Sequence, residues 1–197
     1  MFHRPAQLTE CPFPAAGIWQ QRGREGKDVE IRPYQPADLE TLRQITVEAF
    51  EGVSIDQNIE QQFGEIAGQS WQFRKGRHLD QDVSRDSAGI FVGTLDGEII
   101  GSISTWMDQE AGIGHVPNLT LRAGYRGRGF GRQLLQFALN RFHEQGLSHV
   151  RIETLEQNAI GQQFYLSTGF REVARQIHYC GQLEECLSQL NNRDRTS

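Results

Sequence analysis

A chain of 197 residues with 37% apolar and 23% charged side chains has the composition of a soluble globular protein, long enough to close one core and short for two. Its net charge of -5 removes any global pull toward nucleic acid, and no apolar run approaches the ~18 to 20 residues a bilayer requires. Three cysteines without a CxxC spacing argue against a disulfide framework and against a zinc site, so reduced thiols, no bound metal and a small-molecule or peptide partner are expected.

Residues 1 to 28 hold several prolines and glycines without sustained periodicity and read as an N-terminal arm. They lack the continuous apolar stretch of a signal peptide, which leads to the expectation of a cytoplasmic protein. "VEIRPY" (29 to 34) alternates like a strand, and the segment after it places Leu39, Leu42, Ile45, Ala49 and Phe50 on one helical stripe. Ile55, Ile59, Phe63 and Ile66 form a second helical pattern for which Asp56 is a candidate N-cap. Between Gly68 and Ser87 the chain turns polar, with Trp71 and Phe73 among Arg74, Lys75, Arg77 and His78, and reads as an irregular loop.

Residues 89 to 107 form two β-rich runs joined at Asp96-Gly97, the dipeptide of a type I′ hairpin turn. A strand at 115 to 121, a helix at 129 to 146 and a strand at 148 to 155 make a βαβ unit whose two strands run parallel. A short helix from Asn158 to about Gly169 follows, then a last strand in "FREVARQIHY". The tail, residues 181 to 197, carries Leu183, Cys186, Leu187 and Leu190 at helical spacing.

"YRGRGFGRQLLQFAL" (125 to 139) puts Gly127, Gly129 and Gly131 at the mouth of a helix beside Arg126, Arg128 and Arg132. Helix N-termini expose unpaired N–H groups and partial positive charge, and glycine lets an anion approach them, so a phosphate-bearing ligand is expected there. The spacing fits neither the dinucleotide GxGxxG in either frame nor a Walker loop. Asn158 and Tyr165 stand seven residues apart, two helical turns or roughly 10 Å on one face, with Gly161 between them as a slot for something thin.

Arg126-Gly127-Arg128-Gly129-Phe130-Gly131 resembles the R/Q-x-x-G-x-G/A signature of the GCN5-related N-acetyltransferases (GNAT superfamily). "NAIGQQFYLSTGF" is similar to a second segment of that superfamily, and the likeness covers residues 29 to about 180. The resemblance implies an α/β fold, a mixed central sheet splayed between its fourth and fifth strands with helices on both faces. It also implies acetyl-CoA as cosubstrate, with pyrophosphate on the backbone of Arg126, Gly127, Arg128, Gly129, Phe130 and Gly131 beside Arg132, and the pantetheine paired along Leu119, Thr120 and Leu121. By the same likeness Asn158 and Gly161 meet the cofactor arm and Tyr165 is the general acid. The backbone near Leu119 would supply the oxyanion donor.

The base is less defined. Pro117 fills the slot where relatives often carry glutamate, which leaves His115, with Glu110 and Asp108 as rivals acting through water. The expected activity is acetyl transfer to a primary amine of a small molecule or peptide by direct attack in a ternary complex, the acceptor site being shaped by residues 51 to 87 with Trp106 and Asp108. A non-catalytic acyl-CoA sensor of the same fold and a nucleotide-binding α/β protein are the alternatives, and a homodimer is possible by analogy.

Overall fold

The computed structural model describes residues 19 to 22 and 28 to 193. Six strands form one sheet in the order β1-β2-β3-β4-β5-β6. Strands β1 (Trp19–Arg22), β2 (Asp28–Pro33), β3 (Ile90–Leu95), β4 (Glu98–Asp108) and β5 (Ile113–Leu121) are antiparallel neighbours, and β6 (His149–Ile152) runs parallel to β5. Between β2 and β3 lie α1 (Leu39–Phe50), α2 (Ile55–Phe63) and α3 (Trp71–Asp86); α4 (Phe130–Glu144) joins β5 to β6; α5 (Ala159–Leu166) and α6 (Leu183–Arg193) follow. Among the described residues no helix is long and apolar enough to cross a membrane.

The sheet buries both faces. On one, Phe130, Leu134 and Phe137 of α4 pack against Val29, Ile31, Phe91 and Ile103. On the other, Leu42 and Ile45 of α1 and Leu79 of α3 cover Ile90 and Val92. All six residues of β3 are buried, as a central strand covered twice requires. The turn into β4 has φ of 51° at Asp96 and 82° at Gly97, the left-handed pair a type I′ hairpin demands. The α/β class, the mixed sheet and the helices on both faces agree with the sequence.

Four expectations change. Trp19–Arg22 pairs with β2 as a first strand, although these residues fell inside the expected arm; the remainder of that arm and Cys11 lie outside the described residues. The segment expected as an irregular loop is the sixteen-residue α3. Its buried face is Trp71, Lys75, Gly76, Leu79 and Asp82, so polar residues fill core-facing positions and hide the apolar period, while Ser70 caps its N-terminus by accepting from the Phe73 N–H. Helix α2 is capped by Ser54, whose hydroxyl accepts from the Asp56 N–H, leaving Asp56 buried in the first turn. Residues 170 to 179, expected as a last strand, carry no strand, and all of them after Phe170 are exposed.

A buried ion pair ties the sheet to the first helix. Arg32 of β2 grips Asp38 with two parallel bonds of 2.7 and 2.8 Å, and the same carboxylate accepts from the Gln35 N–H at 2.8 Å. Burial pushes the Asp38 carboxyl up, but the hydrogen bonds from Arg32 and Gln35 outweigh it and hold it below its ordinary value. A depressed carboxyl contributes stability above its unfolded value and loses it as pH falls through the folded one. Asp38→Asn should therefore lower unfolding stability by about 2 to 4 kcal/mol in a urea titration at neutral pH. The difference from wild type should shrink below pH about 4, where the native carboxyl takes its proton.

Candidate functional site

The site begins where a ladder ends. Strand β5 pairs with β6 from Ile113↔His149 to Val116↔Ile152 and no further. The register against β4 slips at the same place: Ser104↔Asn118 and Trp106↔His115 leave one residue on β4 facing Val116 and Pro117 on β5, a β-bulge. Proline at the bulge supplies no N–H, so the ladder cannot continue through it. Beyond it the sheet opens between β5 and β6. These are the fourth and fifth strands of the expected fold, renumbered because β1 precedes them.

The opened edge of β5 presents main-chain groups. The Arg122 N–H donates to the Ile100 carbonyl at 2.9 Å, which fixes residues 122, 120 and 118 as those that bond toward β4. Leu119 and Leu121, alternating with them, direct their N–H and C=O groups away from β4 into the gap. Thr120 differs from the other two: its backbone faces β4, and its buried hydroxyl meets the Ser102 hydroxyl at 3.0 Å.

The glycine turn lies at the end of this strand. Gly127 and Gly129 have φ of 74° and 95°, left-handed values that a side chain would strain, and Gly129 is the N-cap of α4. The N–H groups of Gly127, Gly129, Phe130 and Gly131 donate to no acceptor among the described residues, whereas the Arg126 N–H is already bonded to the Ala123 carbonyl at 3.2 Å. The arginines divide as well. Arg126 donates to the carbonyls of Leu121 and Glu48 at 3.1 and 3.2 Å, and Arg132 donates to the Ser167 hydroxyl at 3.1 Å. Arg128 lies over the rings of Tyr125 and Phe130. Arg126 and Arg132 thus brace the turn from outside, and the anion-binding capacity resides in the amides.

The cleft in the split is narrow, with a cavity volume of about 60 Å³. Val116, Pro117 and Leu119 form one wall, Ile152, Glu153 and Thr154 the other, Ala49, Phe50 and Val53 a third, and Asn158 and Tyr165 of α5 stand at its side. Burial pushes the Tyr165 phenol up to about 12, and its hydroxyl has no hydrogen-bond partner among the described residues. Glu153 is the carboxylate among the lining residues and pairs with Arg151. Gln157, next to Asn158 in the chain, ties the loop before α5 to α2, donating to the Gly52 carbonyl at 2.8 Å and accepting from the Asn58 amide at 2.8 Å.

Two expected site residues are placed differently. His115 stacks flat on Trp106, ring centroids 3.7 Å apart and 7° from parallel, and is absent from the cleft lining. Burial and then Arg151 lower its imidazole below the ordinary value. Gly161 does not leave a slot for a thin ligand: a Cβ there would fall 2.5 Å from the Asn158 amide nitrogen, so Asn158 itself fills the space. That side chain caps α5 by accepting from the Gly161 N–H at 2.9 Å and donates to the Thr154 hydroxyl at 2.9 Å. Of the rivals to His115, Asp108 caps a turn by accepting from the Ala111 N–H, and Glu110 is exposed in that turn.

Glu153 escaped the sequence reading. It follows Ile152 at the carboxyl end of a parallel strand, where α/β sheets place ligands, but the glutamate itself carries no local signal. A buried cluster behind Phe50 was also missed. Lys75 Nζ sits 3.5 Å from the Phe50 ring centroid and donates to the Asn118 carbonyl oxygen at 3.3 Å, while the Asn118 amide donates to Asp82 at 2.7 Å. His78 meets Lys75 at 3.4 Å and Asp56 at 3.3 Å. Burial lowers the Lys75 ammonium to about 8 despite the attraction of Asp56 and Asp82, and it lowers His78 too, with Lys75 adding to the effect. The cluster joins α2 and α3 to the residue that follows the bulge.

The profile of the acetyltransferase (GNAT) family matches residues 42 to 170. Among curated proteins, the mycothiol acetyltransferase of Streptomyces avermitilis is 34% identical over 94 residues, 48% of this chain and 30% of that protein, so the match spans less than a third of the relative's length. Among solved structures, the PaiA N-acetyltransferase of Thermoplasma acidophilum in complex with coenzyme A aligns with a TM-score of 0.61 at 23% identity, over 75% of this chain and 92% of that one. The ribosomal-protein-S18-alanine N-acetyltransferase of Escherichia coli aligns with a TM-score of 0.56 at 17% identity, over 78% and 84%. At these identities the structural likeness establishes the fold.

Lys75 gives the site a testable signature. A lysine that titrates near 8 when folded and near 10.5 when unfolded binds fewer protons in the native state between those values, so native stability should rise with pH across that window. Replacing it, Lys75→Met, should flatten the rise. Denaturant midpoints measured from pH 7 to 10.5 for both proteins check this; a wild-type slope equal to that of the variant contradicts it.

Proposed function

Since this chain belongs to the acetyltransferase (GNAT) family, we propose that it transfers the acetyl group of acetyl-CoA to a primary amine in the cleft between β5 and β6. The observation that carries this reading is one gap lined by the unpaired edge of β5, Tyr165 and Glu153, with the bare amides of the glycine turn following at the end of β5. The residues fit an extended, anionic amide ligand. The N–H groups of Gly127, Gly129, Phe130 and Gly131 would receive the pyrophosphate, and the outward C=O of Leu119 and N–H of Leu121 would pair with the pantetheine amides as an added strand. Acetyl-CoA supplies an activated acyl group joined through a thioester.

The chain's own groups then manage protons. An amine attacks only when neutral, and Glu153, an acid-accepting side chain on the cleft wall, takes the ammonium proton directly or through one water. Tyr165 does the reverse. With its phenol raised to about 12, the hydroxyl keeps its hydrogen throughout the ordinary pH range and donates it toward the departing sulfur. Leu119, through its main-chain N–H, is the donor placed to receive oxyanion charge. Glu153 replaces His115 as the base in this reading, because His115 is held against Trp106 outside the lining. The apolar Phe50 and Val53 and the bridge made by Gln157 form the acceptor side.

A thiol-release assay with a panel of small primary amines and short peptides is the direct test, and no CoA release with any of them would overturn the proposal in favour of a cofactor sensor. Glu153→Gln should lower kcat/KM by about 100-fold, and Tyr165→Phe should lower kcat by a similar factor with little change in CoA affinity. With the phenol near 12, the wild-type rate should show no tyrosine-dependent decline until pH is well above the ordinary value of 10. Gly129→Glu, which adds both a strained side chain and a negative charge, should abolish CoA binding in calorimetry while the fold melts cooperatively; unchanged affinity would refute the pyrophosphate assignment.

A further inference from the structure

Of the 20 basic side chains, Lys27 and Lys75 are lysines and all the others are arginines. Arginine keeps its charge in any protein, whereas a buried lysine gives up a proton and becomes a nucleophile. Lys75 sits where that difference matters. It is 6% exposed, and its Nζ touches neutral groups: the Phe50 ring, the Asn118 carbonyl oxygen at 3.3 Å and His78 Nδ1 at 3.4 Å. Asp82 bonds to Asn118 instead, and among the described residues no ion pair joins Lys75 to Asp82 or Asp56. A lysine whose work was to carry a charge would be paired with one.

His78 continues the line outward. Its Nε2 stands 3.3 Å from Asp56 Oδ2, a buried oxygen with no hydrogen bond of its own, and its side chain is 41% exposed to solvent. Asp56, His78 and Lys75 are thus a carboxylate, an imidazole and an amine in series, the order in which an oriented base activates a nucleophile. The amine is one side chain away from the cleft. Phe50, whose ring covers Nζ, lines the cleft, and so do Pro117 and Leu119 on either side of Asn118. Phe50 ends α1, belongs to neither core cluster and is followed by the exposed Glu51 and Gly52, so its ring can turn aside without breaking the core.

We propose that Lys75 is itself an acetyl acceptor, modified by acetyl-CoA in the cleft of its own chain, an inference that rests on the reading of that cleft as the coenzyme site. His78 takes the ammonium proton and passes it to solvent, with Asp56 as the positioning residue behind the ring. Once the Phe50 ring turns aside, the free amine attacks the thioester carbonyl. A C–N bond forms, the C–S bond breaks, and the proton still on nitrogen replaces the one that Tyr165 gives to the departing sulfur. The products are CoA and a neutral acetyl-lysine, which removes a cation from behind the wall that faces the acceptor.

Full-length protein incubated with acetyl-CoA and no amine, then followed by intact mass and peptide mapping, tests this. The expected product carries an acetyl group on Lys75, formed at a first-order rate that does not change with protein concentration. Lys75→Arg should remove that modification, and His78→Gln should slow it by about 100-fold. Gly129→Glu should leave Lys75 unmodified, and excess CoA should block the reaction in the wild type, which covers the case of a variant that fails to fold. Acetylation of small amines with Lys75 untouched overturns this inference alone. No CoA release with or without an amine overturns the reading of the cleft along with it. Acetylation of Lys75 that persists in Gly129→Glu or under excess CoA, that speeds up with protein concentration, or that is as fast in His78→Gln also overturns the proposal.

Discussion

Everything in this cleft depends on the loss of parallel pairing after Val116. A sheet that continued to pair β5 with β6 would satisfy the main chain of Leu119 and Leu121 internally and leave no space between the strands. The bulge at Val116–Pro117 interrupts the ladder, and proline ensures that the interruption holds. Polar backbone left unpaired in a protein interior costs about 1 to 3 kcal/mol per group unless something else bonds to it. The opened edge is therefore both a defect of folding and the place where an amide-containing ligand gains most.

The surroundings compensate for that defect. Helix α4 buries Phe130, Leu134, Leu135, Phe137 and Ala138 against the sheet, so the glycine turn is set on a rigid base. Glu48 at the end of α1 accepts from the Ala123 N–H at 2.6 Å, and its carbonyl receives Arg126, which fastens the helix above the cleft to the turn below it. On the far side, Lys75, Asn118 and Asp82 lock the strand just past the bulge to α3. These contacts hold in place residues that would otherwise be least ordered, at the cost of keeping the Lys75 ammonium and the Asp82 carboxylate out of water.

The parts visible in the sequence were those encoded in backbone requirements. Asp96-Gly97 and the Gly127-Gly129 pair signal left-handed conformations directly, and Asn158 signals a helix start, so the hairpin, the turn and α5 are where spacing puts them. Helix α3 was hidden because Lys75 and Asp82 occupy buried positions through partners 36 to 43 residues away, which no local period reveals. Glu153 was hidden for the opposite reason: nothing about a glutamate after a strand is unusual until the split beside it is seen. The alternation in Val173 to Tyr179 suggested a last strand, but the structure forms none there, because a strand pattern needs a partner edge that local sequence does not reveal.

One consequence concerns how the turn would respond to change. Amides carry partial charges that neither titrate nor differ between side chains, and Arg126 and Arg132 nearby are engaged with Leu121, Glu48 and Ser167. A grip built this way is tuned by the direction of the peptide planes, so protein relatives could exchange these cations freely while any residue demanding ordinary φ at Gly127 or Gly129 rotates the donors out of aim. In the proposed reading, selectivity for a bent, doubly charged linker rests on the curvature of a few peptide units, a property that charge counting along the chain would never detect.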